Sequence, residues 1–180
     1  MKFSKVLVSA LAGTVMASAG AIAADVPVMP VLTPTVVAAP PAPGFDWAGP
    51  YVGVNGGAAF CGGYCWGLVG VDAGYNWVSG SMLYGIEAQA GAYLYLGPYV
   101  HATARAGYLI GPRALVYAEA GFGAYVPPWG DGLYILGGGG IELAVGERFS
   151  VFGEVKAEWV FVHPYVDVRA EGGIHWHIGN

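Results

Sequence analysis

The sequence predicts an all-β fold, an eight-stranded antiparallel up-and-down transmembrane β-barrel. After residue 50, polar and apolar side chains alternate with a period of two, and turn-forming residues interrupt the alternation at short intervals. The composition is 56% hydrophobic but only 11% charged, whereas a soluble domain carries about 25% charged residues. The excess apolar surface therefore has to face something other than water.

The N-terminal region predicts export. Residues 1–24 have the form of a secretory signal peptide, with Lys2 and Lys5, an apolar core and an Ala21-Ile22-Ala23 cleavage site. Residues 25–46 are rich in proline and predict an extended periplasmic leader, either disordered or a tether for a periplasmic partner. Residues 47–180 form the predicted barrel.

The predicted barrel region divides into eight strands. About 9–11 residues suffice to cross a bilayer at a tilt, and closure into a barrel leaves no unpaired strand edge in lipid. In chain order the predicted strands are 51–60, 66–78, 82–95, 99–110, 114–126, 133–145, 149–161 and 165–178. Each gap between them carries Gly, Pro, Ser or Asp in combinations that favour turns.

Alternation in the predicted strand 82–95 separates two faces. Glu87 and Gln89 fall on one face, whereas Ile86, Ala88 and Ala90 fall on the other. The same parity predicts that the charged residues of the second to eighth strands point into the barrel. The predicted lumen network contains Asp72, Glu87, Arg105, Glu119, Glu142, Glu154, Lys156, Glu158, Asp167, Arg169 and Glu171.

A soluble lipocalin-like barrel would show the same periodicity, but its apolar side chains would face the interior and its charged side chains would face the solvent. Small Ala, Val and Ile residues dominate the centre of the apolar face, which favours a lipid-facing exterior. Aromatic residues at the ends of that face resemble interfacial girdles. They are Tyr75, Trp77, Tyr108, Phe149 and Trp176 at one end, and Phe60 and Trp159 at the other.

Three segments resemble the alphaproteobacterial outer-membrane β-barrel family, the small porin-like proteins of rhizobia and brucellae. They are GLVGVDAGYNWVSGSMLYGIEAQ at 67–89, WAGPYVGVNGG at 47–57 and ADVP at 24–27. The resemblance implies an outer-membrane location, a periplasmic N-terminus and no catalytic site. The chain departs from the family in its end, Trp176-His177-Ile178-Gly179-Asn180, which lacks a terminal aromatic residue, and in its short outer connections.

The expected partners follow from an outer-membrane location. They are outer-membrane lipids and lipopolysaccharide, with periplasmic chaperones and the outer-membrane assembly machinery during biogenesis. No nucleic acid is expected, because the net charge is −5 and the seven Lys and Arg residues form no basic patch.

The main functional hypothesis is a structural, envelope-stabilising barrel with a polar, ion-paired lumen. Eight strands leave room for side chains but hardly for a channel. The predicted lumen network nevertheless has eight acids and three bases, so a narrow passive channel for small solutes or cations stays open as an alternative. A surface ligand-, haem- or metal-binding barrel is the second alternative.

Few residues point to chemistry. His175 and His177 share the inward face and are weak metal-ligand candidates, so no metal or cofactor is predicted. Cys61 and Cys65 predict a small disulfide in an exported protein.

The chain is not predicted to be an enzyme. The residues of a Ser–His–acid site would have to converge. Ser79, Ser81 and Ser150 are predicted at turns at one end of the barrel, whereas His163 is predicted at the other end.

Overall fold

The computed structural model describes residues 44–61, 63–126, 132–161 and 166–179. The predicted signal peptide at 1–24, most of the predicted leader at 25–46 and His163 lie outside these residues. No helix within the described ranges is long and apolar enough to cross a membrane.

Eight strands close into one barrel, in which each strand pairs antiparallel with its chain neighbours and β1 pairs with β8. This confirms the predicted fold class. The strands are β1 (Gly49–Cys61), β2 (Tyr64–Ser79), β3 (Met82–Tyr93), β4 (Gly97–Ile110), β5 (Ala114–Tyr125), β6 (Gly132–Ala144), β7 (Phe149–Val160) and β8 (Val166–His177).

The turn between β3 and β4 lies earlier than the sequence predicts. The predicted strand reached residue 95, but β3 ends at Tyr93, and Tyr95 is exposed with a φ of 80°. The Leu96 amide donates to the Tyr93 carbonyl at 3.2 Å, which closes a tight turn. Gly97 and Pro98, predicted as the turn, instead begin β4.

The seam between β1 and β8 closes the barrel. Its register runs from Tyr51 opposite His177 to Phe60 opposite Val168. The Ile178 amide adds a bond of 2.8 Å to the Pro50 carbonyl. Because no strand edge is left unpaired, every strand can satisfy its backbone groups within the sheet.

The polarity of the barrel is inverted relative to a soluble protein. Large apolar side chains are exposed on the outer face of every strand, for example Val71 at 56%, Ile86 at 54% and Val155 at 53%. The aromatic residues predicted at the strand ends are exposed as well, including Trp77, Trp159 and Trp176. Most charged side chains of the strands lie buried inside. An exterior of this kind suits lipid rather than water.

Apolar layers occupy both ends of the interior. At the end that carries Gly49 and His177, here called the terminal end, a buried cluster comprises Phe45, Trp47, Leu83, Leu115, Tyr117 and Ala144. At the opposite, far end, two buried clusters comprise Ala59, Leu68, Tyr93 and Tyr99, and Tyr134, Leu136 and Val160. Polar side chains fill the space between these layers.

Candidate functional site

Three buried basic side chains organise the interior, and each of them lies between two carboxylates. They are Arg105 on β4, Lys156 on β7 and Arg169 on β8. Inward-facing residues of several strands supply the acids because the side-chain period of two directs every second residue into the lumen. All three bases are at most 3% exposed, so almost no solvent screens these pairs.

Arg105 connects β3, β4 and β6. Its Nη1 atom lies 3.4 Å from Glu142 Oε2 and 3.7 Å from Glu87 Oε2. Its Nε and Nη2 atoms both donate to Asn76 Oδ1, at 3.1 and 2.9 Å. The guanidinium also stacks over the Tyr51 ring at 4.6 Å. Arg105 is therefore held on several sides, and its charge is shared between two acids.

Lys156 lies among the acids of β5 and β7. Its Nζ atom is 2.8 Å from Glu154 Oε1 and 3.4 Å from Glu119 Oε1. It also donates to Gln89 Oε1 at 3.4 Å. The three polar contacts use the three donors of the ammonium group.

Arg169 lies nearest the far end. It forms ion pairs with Glu158, at 3.1 Å, and with Glu171. Its Nη1 atom donates to the Tyr93 hydroxyl at 3.2 Å. Its guanidinium stacks over the Tyr99 ring at 4.8 Å. This base therefore joins the ion-pair network to the aromatic layer at the far end.

Tyrosine and amide side chains supply donors to the acids that outnumber the bases. Tyr51 donates to Glu87 at 2.7 Å, and Tyr117 donates to Glu154 at 2.8 Å. Tyr125 and Tyr93 both donate to Glu158 Oε2, at 2.9 and 3.2 Å. Such donors to an ionised acceptor form strong hydrogen bonds. The predicted network did not include them, although most share strand parity with the charged residues.

Two of the predicted acids contact none of the three bases. Asp72 accepts from Asn55 Nδ2 at 2.8 Å and lies 3.1 Å from His175 Nε2. Asp167 is only half-buried, and its Oδ1 atom has no hydrogen-bond partner among the described residues. Asp167 is thus the member of the predicted network that the structure leaves at the margin of the interior.

His175, His177 and Glu142 form a compact cluster inside the terminal end. Glu142 Oε1 lies 2.9 Å from His175 Nδ1 and 3.2 Å from His177 Nε2. The Ser150 hydroxyl donates to the same carboxylate oxygen at 2.5 Å and lies 3.0 Å from His177 Nε2. The prediction that Ser150 lies in a turn is wrong. The predicted strand 149–161 begins at the observed residue, and Ser150, the second residue of β7, points inward.

The geometry around Ser150 does not form a catalytic triad. In a triad the acid orients the histidine through the ring nitrogen that faces away from the serine. Here Glu142 contacts Ser150 and the same His177 nitrogen that faces the serine. The other nitrogen, Nδ1, has no partner among the described residues. Ser79 and Ser81 are exposed, Ser79 as the last residue of β2 and Ser81 in the turn that follows.

The predicted disulfide is not formed, since Cys65 is a free, exposed cysteine. The register of β1 and β2 explains this. It pairs Cys65 with Phe60, and Cys61 with Tyr64. The two cysteines are therefore not cross-strand partners.

Comparisons with known proteins bear on the fold. No protein-family model matches this chain, and no curated protein matches it significantly. A solved structure from the de novo design of transmembrane β-barrels is similar with a TM-score of 0.52 and 16% identity, covering 72% of this chain and 94% of that one. Neisserial surface protein A is similar with a TM-score of 0.50 and 10% identity, covering 73% and 98%. At these identities the likeness concerns the fold alone, and the chain has the fold of a transmembrane β-barrel.

Proposed function

We propose that this chain is a bacterial outer-membrane protein with a structural, envelope-stabilising role and a closed lumen. The observation that carries the proposal is the combination of an apolar exterior with an interior filled by paired charges. The proposed location also draws on the predicted signal peptide and on the resemblance to alphaproteobacterial outer-membrane barrels. Lipids and lipopolysaccharide would surround the barrel, and the assembly machinery would insert it.

The filled interior supports a closed barrel over a channel. Arg105 contacts Tyr51 near the terminal end, Lys156 contacts Gln89, and Arg169 contacts Tyr93 at the far end. Each of the three bases is nearly fully buried. A conducting path would have to separate these bases from their carboxylates. Breaking a buried pair costs about 3–5 kcal/mol, so an open state of this kind would be rarely populated.

The apolar layers at the two ends support the same conclusion. Phe45 and Trp47 lie buried at the terminal end, and Tyr93, Tyr99 and Tyr134 lie buried at the far end. A hydrated ion entering from either end would have to displace aromatic side chains before it reached the charges. The surplus of acids, which motivates the cation-channel alternative, is accommodated instead by tyrosine, amide and histidine contacts.

Liposome swelling and planar-bilayer recording on the refolded protein test whether the lumen is closed. Heat-dependent gel mobility would first establish that the barrel is folded, and an open porin in the same vesicles would serve as the positive control. We expect no conductance steps and no swelling above that of empty vesicles. Reproducible steps from folded protein would reject the closed barrel and favour the narrow channel.

Deletion of the gene in the native bacterium tests the structural role. We expect greater sensitivity to detergents and to chelators of divalent cations, both of which stress the outer membrane. Complementation with the wild-type gene should restore resistance. A strain that tolerates both stresses as well as its parent would contradict an envelope-stabilising role while leaving the closed barrel intact.

A further inference from the structure

We propose that Glu142, His175 and His177 bind one zinc-type divalent transition-metal ion inside the terminal end of the barrel. The site would be structural and would join β6 to β8. This inference is independent of the proposed envelope role, since it rests on a different group of side chains.

Three ligand atoms converge at this position. Glu142, His175 and His177 each offer one ligand atom, and these three atoms all lie within 4.8 Å of one another. The two contacts to the carboxylate are 2.9 and 3.2 Å. Ligands of a tetrahedral zinc ion with bonds of 2.0–2.1 Å stand roughly 3.3 Å apart. The two contacts to the carboxylate are therefore close to the required length, and the ligand nitrogens of the two histidines lie at most 4.8 Å apart.

The contacts of His175 define a position between its Nδ1 atom and Glu142 that either a second proton or a metal ion can occupy. His175 meets a carboxylate at both ring nitrogens, Asp72 at Nε2 and Glu142 at Nδ1. A neutral imidazole has one donor nitrogen and one acceptor nitrogen. With the proton on Nε2, the Nδ1 lone pair faces a carboxylate oxygen, and this arrangement is repulsive unless a proton or a metal ion lies between them. A metal ion would satisfy both lone pairs.

Asp72 and Arg105 contact the proposed metal ligands and hold them in orientation, as residues around metal sites usually do. A histidine that binds a metal usually donates its second N–H to a carboxylate, which fixes its tautomer and orientation. The 3.1 Å contact from His175 Nε2 to Asp72 Oδ1 has this arrangement. The second oxygen of Glu142 is held by Arg105 at 3.4 Å, which leaves Oε1 directed at the histidines.

The donor set favours zinc over the alkaline-earth ions. Two imidazole nitrogens and one carboxylate oxygen suit zinc, whereas Mg²⁺ and Ca²⁺ prefer oxygen ligands. A second potential group, Asp72, Glu87 and His175, contains only one nitrogen. Ser150 Oγ, at 3.0 Å from His177 Nε2, is placed to supply a fourth contact directly or through water.

The surroundings indicate a closed site rather than a catalytic one. The Phe45 and Trp47 rings lie against the His177 imidazole, with ring centroids 4.7 and 5.8 Å apart. Catalytic zinc keeps an open position for substrate, but these rings cover the cluster. The bound ion would therefore have a structural role, holding β6 to β8.

Metal content of the refolded protein tests the site. The full chain, carrying no histidine tag, would be refolded with and without Zn²⁺, desalted and analysed by mass spectrometry of the metal. We expect one tightly held zinc ion per chain. His175→Gln and His177→Gln should each weaken zinc binding at least tenfold, and Asp72→Asn should weaken it about 10- to 100-fold, as loss of such outer contacts does.

His101→Gln is the matched control, because His101 is also buried but contacts Tyr134 and Arg169 instead of a carboxylate. It should retain full zinc content. X-ray absorption of zinc in the wild-type protein keeps the proposal testable if the variants fail to fold, and it should show two imidazole ligands. Wild-type protein that retains no more zinc than the His175→Gln variant, or a zinc shell without imidazole, would overturn the site.

Discussion

Lys156 Nζ lies 2.8 Å from Glu154 Oε1, and both side chains extend from the inner face of the same strand, β7. Glu119 approaches the same ammonium group from β5, at 3.4 Å. The two acids share one cation, and Glu154 also accepts from the Tyr117 hydroxyl. This group of charges lies between the Arg105 and Arg169 groups, so loss of Lys156 would leave two buried acids unpaired in the middle of the network.

Replacement of Lys156 by methionine should destabilise the barrel strongly. The substitution keeps the length of the side chain but leaves Glu119 and Glu154 buried without their cation, which costs about 3–5 kcal/mol. Urea unfolding in lipid vesicles, followed by tryptophan fluorescence, measures the loss. The exposed Arg148 offers a control, since Arg148→Met should change stability by no more than about 0.5 kcal/mol.

A double variant tests the charge explanation for Lys156. Lys156→Met combined with Glu154→Gln removes one cation and one anion together, so it should be more stable than Lys156→Met alone. The coupling between contacting charged residues is about 0.5–3 kcal/mol. Strictly additive losses would indicate that Lys156 contributes by packing and not through its charge.

The cost in unfolding free energy of an arginine on the outer face should depend on how deep that position lies in the membrane. Val71 lies near the middle of β2 and is exposed, whereas Met82 is the first residue of β3, beside a turn. Val71→Arg should cost about 2–4 kcal/mol in a bilayer, and Met82→Arg only about 0–1 kcal/mol. The free energy of unfolding in vesicles gives both values. Equal, small effects would show that β2 does not cross the hydrocarbon.

Gly74 should not tolerate a side chain. Tyr51 lies opposite Gly74 in the β1–β2 register, and a Cβ atom on Gly74 would overlap the Tyr51 ring and hydroxyl. Tyr51 cannot move freely because its hydroxyl donates to Glu87 at 2.7 Å. Gly74→Ala should therefore cost about 1–3 kcal/mol through overpacking.

Gly146 provides the control for Gly74. A Cβ atom at Gly146 meets nothing within 4 Å, so Gly146→Ala should leave the free energy of unfolding within about 0.5 kcal/mol of the wild type. In the Tyr51→Ala background, adding Gly74→Ala should change the free energy of unfolding very little, because the ring that would overlap the new Cβ atom is gone. An unchanged penalty in that background would contradict the proposed overlap with Tyr51.

Cys65 should react with a maleimide without prior reduction, because it is an exposed free thiol. Folded protein purified without reductant and labelled in detergent should show the modification at Cys65 by peptide mass spectrometry. Cys65→Ser should abolish labelling at this peptide. Labelling that appears only after treatment with a reductant would restore the disulfide prediction.

The sequence predicted the strands well because alternation is a local property. Each predicted strand end lies within two residues of the observed one, and the differences of two fall at the starts of β1 and β2 and on both sides of the turn between β3 and β4. Several neighbouring positions there can form a turn, so the sequence located the turn only approximately. The Ser150 error has another cause, because the predicted strand 149–161 begins at the observed residue and the serine at its second position was nevertheless assigned to the turn.

The contacts inside the barrel could be identified only from the closed barrel and not from the individual strands. Alternation determined by itself that the charged residues share one face and that Val, Ala and Ile share the other, because successive strand residues point to opposite sides. Only the tertiary structure decided that Arg105 reaches Glu142 across the lumen, that Phe45 and Trp47 cover His177, and that Cys65 pairs with Phe60. These contacts join residues far apart in sequence or depend on strand register. Register and stagger are set when all eight strands close together, so no single segment of the sequence contains that information.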